Sequence, residues 1–541
     1  MNNQERARLS INVHADDRAL YEIYLPAFKM AVLEGDSWTL MAAYNKVDGE
    51  HACHNYRLLQ EILKGEWGWK GAVVSDWGGA HNTDQAVRNG LDLEFGTGTN
   101  GLSGRAKKSY DNYHLALPFL EGIESGKYSM TDLDDKVRRV LRLHFHTTLN
   151  THKPFGSIDS EDHYEAARKI GAEGIVLLKN NGNLLPLKAE GKKILVVGEN
   201  AVKKMTVGGG SSSLKVQREI SPLQGLTKRF GNQADVKWVR GYVGDVSGSY
   251  NGVTTGQNLN DNRSFKELVD EAVAEAKNAD YVIFIGGLNK SGYQDCEGVD
   301  RKNYSLPYKQ DSLIFELAKT NPNFIVVNIS GTAVEMPWVD KVPAIVQDWY
   351  IGSEAGNSLA QVLSGDVTPC GKLPFTWPKK LEDVPAHKLG AYTDKEEVYK
   401  EGIFVGYRWA DKQKNTKPLF PFGYGLSYTS FSYSKPTVDK AVMSSTDSLS
   451  VSVNVKNIGN VKGKEIVQLY ISDLKSSLPR PIKELKGFKK VSLEPGEEKT
   501  VTFKIGKDAL SFFDDKKHEW VAEPGKFEAV VAASSQDIRG K

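Results

Sequence analysis

Four runs of continuous aliphatic and β-branched residues dominate what this chain can fold into. They lie at 193–198 (KILVVG), 279–286 (ADYVIFIG), 323–329 (NFIVVNI) and 344–347 (AIVQ). Their hearts do not alternate polar with apolar, so each predicts a strand buried on both faces. Helices predicted over 265–278 and 310–320 separate them, and a helix starting at Ser160 precedes them. Strand–helix alternation of this kind requires a mostly parallel sheet covered by helices on both sides.

The first 150 residues repeat the alternation on a smaller scale. Residues 16–34 carry apolar side chains at helical spacing, with Asp16 and Asp17 suited to the positive end of a helix. A strand over 38–45 ends near Tyr44, a helix covers 55–63, and Gly71-Ala-Val-Val-Ser-Asp-Trp-Gly78 is a second strand. Residues 90–95 predict a third, and 130–149 a long amphipathic helix capped at Thr131 or Asp132. A (β/α)8 barrel needs eight strands in ~250 residues. Three strands therefore mean a small open sheet or the last part of a barrel. Residues 151–156 read as a linker. From Pro436 onward the pattern changes to short alternating strands at 449–455, 465–471, 499–503 and 526–531, which predict a β-sandwich of fibronectin type III or immunoglobulin kind.

Charge and cysteine content exclude several classes. Lys+Arg 70 against Asp+Glu 68 gives a net charge of +2, no electrostatic case for nucleic acid or an anionic membrane. Cys53, Cys296 and Cys370 lie far apart and form neither a disulfide framework nor a metal pattern. No apolar run approaches the ~20 residues that cross a bilayer. The polar start Met1-Asn-Asn-Gln-Glu-Arg6 is no signal peptide, so the chain taken as written is expected in the cytoplasm. No GxGxxG follows the strand at 193–198, and no G-x-S-x-G occurs. Gly208-Gly-Gly-Ser-Ser-Ser213 lacks the ending of a phosphate-binding loop and reads as a linker, or as a loop approaching a polyol. His51 and His54 beside Cys53 make a weak ligand set, and neither a metal nor an organic cofactor is expected.

Two carboxylate-bearing segments remain. Asp76 ends a buried strand beside the indole of Trp77, where parallel α/β folds place their chemistry. An acid next to a large aromatic suits a sugar, which is polar at its edges and apolar on its faces; a helix N-cap would explain the same aspartate. The loop 288–301 (LNKSGYQDCEGVDR) follows the strand at 279–286 and carries Asp295, Glu297 and Asp300. It can hold a site, or an Asp300–Arg301 ion pair and a solvated Glu297.

With both segments in view, the chain resembles a family 3 glycoside hydrolase of the multidomain β-glucosidase type. The resemblance runs through Asn2-Asn-Gln-Glu5, Met41-Ala-Ala-Tyr-Asn45, Trp67-Gly-Trp-Lys-Gly71, Val74-Ser-Asp-Trp77, Val176-Leu-Leu-Lys-Asn-Asn181, Glu297-Gly-Val-Asp-Arg301, Gly371-Lys-Leu-Pro-Phe-Thr-Trp-Pro378, Val405-Gly-Tyr-Arg408 and Phe422-Gly-Tyr-Gly-Leu-Ser-Tyr428. It implies part of a (β/α)8 barrel over 1–150, a linker at 151–159, an α/β sandwich over 160–427 and a fibronectin type III-like domain over 428–541. It further implies Asp76 as nucleophile, Glu297 as general acid/base, and Tyr44, Trp77, Gly209 and Ser211 around the sugar. The family's retaining mechanism sets two carboxyls about 5–5.5 Å apart, one ionised to attack and one protonated to release the leaving group. The implied activity is exo-hydrolysis of β-D-glucosides. A β-xylosidase or another exo-β-glycosidase is the alternative enzyme, and an inactive carbohydrate-binding fragment the alternative of another class. The implied partner is an oligosaccharide or glycoside; a homo-oligomer stays open.

The chain departs from the family at its start. Family members carry much of the barrel before Asn2-Asn-Gln-Glu5, including a Lys-His pair, an Asp and an Arg that bind the sugar. The chain thus reads as truncated, its family parent as periplasmic or secreted. The expectation is little or no glycosidase activity when it is made alone.

Overall fold

The computed structural model describes residues 1–96, 109–208, 210–212, 214, 216–250, 253–413 and 416–541. The chain forms two compact units. One contains 1–157, 386–403 and 512–519; the other contains 158–385, 404–511 and 520–541.

The larger unit is built on a six-stranded sheet in the order Val176–Asn180, Ala344–Gln347, Phe324–Ile329, Tyr281–Gly287, Lys193–Val197, Asp235–Val239. All neighbours are parallel except the edge strand Val176–Asn180, which runs antiparallel to Ala344–Gln347. Period-two side-chain alternation splits each central strand between two cores. Leu195, Val197, Val282, Phe284, Phe324 and Val326 enter one. Ile194, Val196, Ile283, Ile285, Ile325 and Val327 enter the other. Both faces are therefore apolar, which is why the runs showed no alternation. Among the parallel strands the chain order reverses between Lys193–Val197 and Tyr281–Gly287, the topological switch point at which such sheets open a crevice.

In the same unit, two four-stranded antiparallel sheets form the β-sandwich. Leu449–Asn457 pairs with Glu498–Ile505, Phe431–Tyr433 and Thr437–Val438. Glu484–Leu493, Gly463–Asp473, Phe527–Ser534 and Asp537–Gly540 make the second sheet. Val451, Val453 and Val455 meet Val467, Leu469 and Val531 between the sheets. Glu484–Leu493 escapes a pattern search because Lys486, Lys489 and Lys490 interrupt its apolar positions.

In the smaller unit Thr39–Ala42 and Ala72–Ser75 are parallel neighbours, and Val74 bridges in parallel to Leu93. This is a piece of a β/α barrel wall. The expected strand at 90–95 shrinks to that bridge because the Asp92 carboxylate itself accepts the Val73 N–H (2.8 Å). A separate sheet joins Asn12–His14 in parallel to Lys46–Val47 and to Glu396–Val398. His14 fixes the latter pairing, its two ring nitrogens 2.9 Å from Asp48 Oδ1 and 2.7 Å from Glu396 Oε2. Phe513 stacks on Tyr21 at 4.1 Å, and its N–H donates to Glu22.

The long helix spans Met130–His146, and its cap is Ser129 rather than Thr131 or Asp132. Ser129 Oγ accepts the Asp132 N–H while Asp132 accepts the Ser129 N–H, a capping box that places the cap two residues before Thr131. The helix is amphipathic in an unexpected sense, because it buries Lys136 and Arg139 and leaves Val137, Leu141 and Phe145 exposed. Arg139 Nη1 donates to the carbonyls of Trp69 (3.0 Å) and Gly71 (2.9 Å), just before the strand that ends at Asp76. Lys64 pairs with the buried Asp92 at 2.7 Å. Burial pulls Lys136 down to about 8.

Asp348, after strand Ala344–Gln347, is fully buried, and neither carboxyl oxygen has a hydrogen-bond partner among the described residues. Desolvation alone raises its pKa well above the usual range. The folded state therefore holds the proton and the unfolded chain releases it near pH 3.9, so stability falls as pH rises through the interval between. Asp348→Asn is expected to raise the thermal midpoint by a few degrees, more at pH 8 than at pH 5, in paired calorimetric scans.

Candidate active site

Asp76 sits where strand Ala72–Ser75 stops. Its N–H still donates to Ala42 O (3.3 Å) on the neighbouring strand, and its carbonyl accepts the Gly79 N–H (3.0 Å), closing a tight turn. Two donors converge on one carboxylate oxygen: Tyr44 Oη at 2.8 Å and the Trp77 N–H at 2.7 Å both bind Oδ1. Oδ2 accepts no hydrogen bond from the described residues. Tyr44 lies just beyond the adjacent parallel strand Thr39–Ala42, so in-register pairing is what brings the phenol to the acid.

Trp77 is 65% exposed, with its ring stacked on Phe95 at 5.4 Å. Ser75 Oγ accepts the Phe95 N–H (2.8 Å), and the Phe95 carbonyl accepts the Gly78 N–H (2.9 Å), tying the aromatic pair to the strand end. Gly96 follows with φ +54°, and a Cβ there would lie 2.3 Å from Trp77 Cδ1, so a larger residue would displace the indole.

Behind Tyr44 stands a histidine cluster that sequence spacing does not assemble. His51 Nδ1 contacts Tyr44 O at 2.9 Å, and its ring stacks on His81 at 3.9 Å. The His81 N–H donates to His54 Nε2 at 3.3 Å, so that nitrogen carries a lone pair. Burial, reinforced by the neighbouring histidines, pulls both His54 and His81 down to about 4. His51 and His81 stack, and His54 meets both edge-on. Among the described residues no group of three or more His, Cys, Asp or Glu side chains could hold a metal ion.

Glu297 belongs to the loop after strand Tyr281–Gly287. Its Oε2 accepts two hydrogen bonds from one residue, the Ser211 N–H (3.0 Å) and Ser211 Oγ (2.8 Å). Ser211 lies in a single 3-10 turn, Gly210–Ser212, which sets it against the acid within the stretch read as a linker. Gly209 lies outside the described residues. Gly298 adopts φ +93°, which lets the chain turn directly after Glu297. Arg301 spends its guanidinium on Thr332 Oγ1 and on the carbonyls of Ala333, Asn303 and Tyr304. The structure thus pairs Tyr44 and Trp77 with Asp76, and Ser211 with Glu297.

Three family models match in chain order: the glycosyl hydrolase family 3 N-terminal domain over 9–143, its C-terminal domain over 175–428, and a fibronectin type III-like domain over 465–535. The β-glucosidase BoGH3A of Bacteroides ovatus is 52% identical, over 100% of this chain and 73% of its own length. This chain belongs to glycosyl hydrolase family 3. Thermostable β-glucosidase B of Acetivibrio thermocellus is 39% identical over 99% of this chain and 67% of its own. The crystal structure of a Kluyveromyces marxianus β-glucosidase in complex with glucose superimposes with TM-score 0.88 at 31% identity, covering all of this chain and 80% of that one. Among the described residues no helix is long and apolar enough to cross a membrane.

The histidines couple this site to acid. A folded pKa near 4 against an unfolded value near 6.5 means that the stability of the neutral cluster is present above 6.5 and lost as pH falls towards 4. Protonating His54 Nε2 also removes the acceptor of the His81 N–H. His54→Gln keeps an acceptor at that position without the titration. It is expected to flatten the fall in thermal midpoint between pH 7 and pH 5, measured by calorimetry.

Proposed function

We propose that this family 3 enzyme is a retaining, exo-acting β-glucosidase that removes terminal non-reducing β-D-glucosyl residues through a covalent glycosyl–Asp76 intermediate, with Glu297 as general acid/base. The observation that carries the reading is the Asp76 carboxylate, with Oδ1 held by Tyr44 Oη and the Trp77 N–H. Oδ2 then attacks the anomeric carbon. The two donors on Oδ1 stabilise the carboxylate again when it leaves as the glycosyl ester is hydrolysed. Beside it, the exposed indole of Trp77 offers a flat apolar face to the sugar ring.

Glu297, with Oε2 held by Ser211, protonates the departing glycosidic oxygen. It then takes a proton from the water that cleaves the ester. No metal or organic cofactor enters either step. The same reading assigns residues 1–150 to the part of the catalytic barrel that bears the nucleophile and 160–427 to the domain that bears the acid. Glucose as the sugar is supported by full-chain similarity to proteins named β-glucosidases.

Trapping tests this with little dependence on turnover rate. Incubation with a 2-deoxy-2-fluoro-β-glucosyl fluoride is expected to add one fluoroglucosyl group to the peptide containing Asp76, located by mass spectrometry, and none to Asp76→Asn. Label on another carboxylate, or no label at saturating reagent, would overturn the assignment. Faster hydrolysis of nitrophenyl β-xyloside than of the β-glucoside would overturn the choice of sugar.

A further inference from the structure

The loop bearing Glu297 is pinned on both sides of that residue to one hydroxyl. Asp295 Oδ1 accepts from Thr332 Oγ1 at 2.9 Å. The same Oγ1 accepts from Arg301 Nη1 at 2.8 Å. One hydroxyl thus uses its single proton towards Asp295 and a lone pair towards Arg301. The other Asp295 oxygen, Oδ2, accepts the Gly331 N–H (2.7 Å) and Tyr350 Oη (3.0 Å). Tyr350 comes from the segment after strand Ala344–Gln347, and Gly331 and Thr332 from the segment after Phe324–Ile329. The loop 288–301 is therefore locked to the ends of two other strands in the same sheet. All three donors to Asp295 need an acceptor there, which a carboxylate meets and an amide meets only in part.

We propose that Asp295, Thr332 and Arg301 form a clasp that positions Glu297 for proton transfer. This rests on the reading of Glu297 as the acid/base. The clasp residues are positioning residues, since their bonds run to one another, to Tyr350 Oη and to backbone, and they act through the loop. Proton donation to a leaving group needs the donor within hydrogen-bond reach of the departing oxygen. A loop free to shift lowers the fraction of time that Glu297 spends there. The cost falls on substrates whose leaving group needs the proton. An aglycone as acidic as dinitrophenol departs without it.

Thr332 is exposed, so its substitution tests the clasp without disturbing the core. Thr332→Val keeps the shape and deletes the hydroxyl, while Thr332→Ser keeps the hydroxyl. In Thr332→Val, kcat/KM for an alkyl β-glucoside is expected to fall about tenfold or more, a modest share of what general acid catalysis supplies. The value for 2,4-dinitrophenyl β-glucoside is expected to stay within about twofold, and Thr332→Ser to match the parent on both. Equal losses on both substrates, or none, would overturn the positioning role. Amide exchange over 295–301 reads the clasp without turnover. It should quicken in Thr332→Val and not in Thr332→Ser, and unchanged exchange would sink the clasp itself. Glu297→Gln is the reference. If it lacks the leaving-group dependence, the acid/base assignment fails, a result distinct from failure of the clasp.

Discussion

Burial of parallel strands on both faces is the constraint on which the rest of this molecule depends. A strand such as Tyr281–Gly287, with Val282 to Ile285 at 0% exposure, has no room for an ionised side chain along its length. Polar residues are displaced to strand ends, where backbone N–H and C=O groups lose their ladder partners and must find others. Both candidate acids occupy such positions. Asp76 follows Ala72–Ser75 directly, and Glu297 lies in the loop after Tyr281–Gly287.

What the strand ends cannot satisfy within the ladder, nearby side chains satisfy across it. Ser75 Oγ takes the Phe95 N–H, Asp92 takes the Val73 N–H, and Asp295 takes the Gly331 N–H. Each supplies a side-chain acceptor to a backbone N–H at or near a strand. Tyr44 on Asp76 Oδ1 and Ser211 on Glu297 Oε2 follow the same logic, leaving one oxygen of each carboxylate held by fixed donors. Such preorganisation costs no rearrangement at the moment of reaction.

The same economy explains the charges buried behind the nucleophile strand. Arg139 donates to the carbonyls of Trp69 and Gly71, and Lys136 to those of Ala86 and Leu91. That is why the helix Met130–His146 faces inward with its cations. Leu133, Val140 and Leu143 are half-buried, whereas the stripe Val137, Leu141 and Phe145 is exposed.

The sequence alone determined the type and order of the main elements, though not the strand Glu484–Leu493, nor that 90–95 pairs only through a bridge at Leu93. Continuous apolar runs forced a two-faced parallel sheet, alternating runs forced a sandwich, and a carboxylate closing an apolar strand marked Asp76 beside Trp77. The second acid, Glu297, was implied only by the family resemblance of Glu297-Gly-Val-Asp-Arg301. The other signals are local, set by side-chain period and by the residues next to a strand end. Tertiary structure decided whatever depends on residues far apart in the chain. Register between Thr39–Ala42 and Ala72–Ser75 delivered Tyr44 to Asp76. Folding carried Ser211 to Glu297, 86 positions away, and Thr332 to Asp295, 37 positions away. It also assigned 386–403 and 512–519 to the unit that begins the chain. Hydrogen bonds of that span leave no periodic trace in a sequence, because only the closed geometry of the sheet determines which polar groups meet.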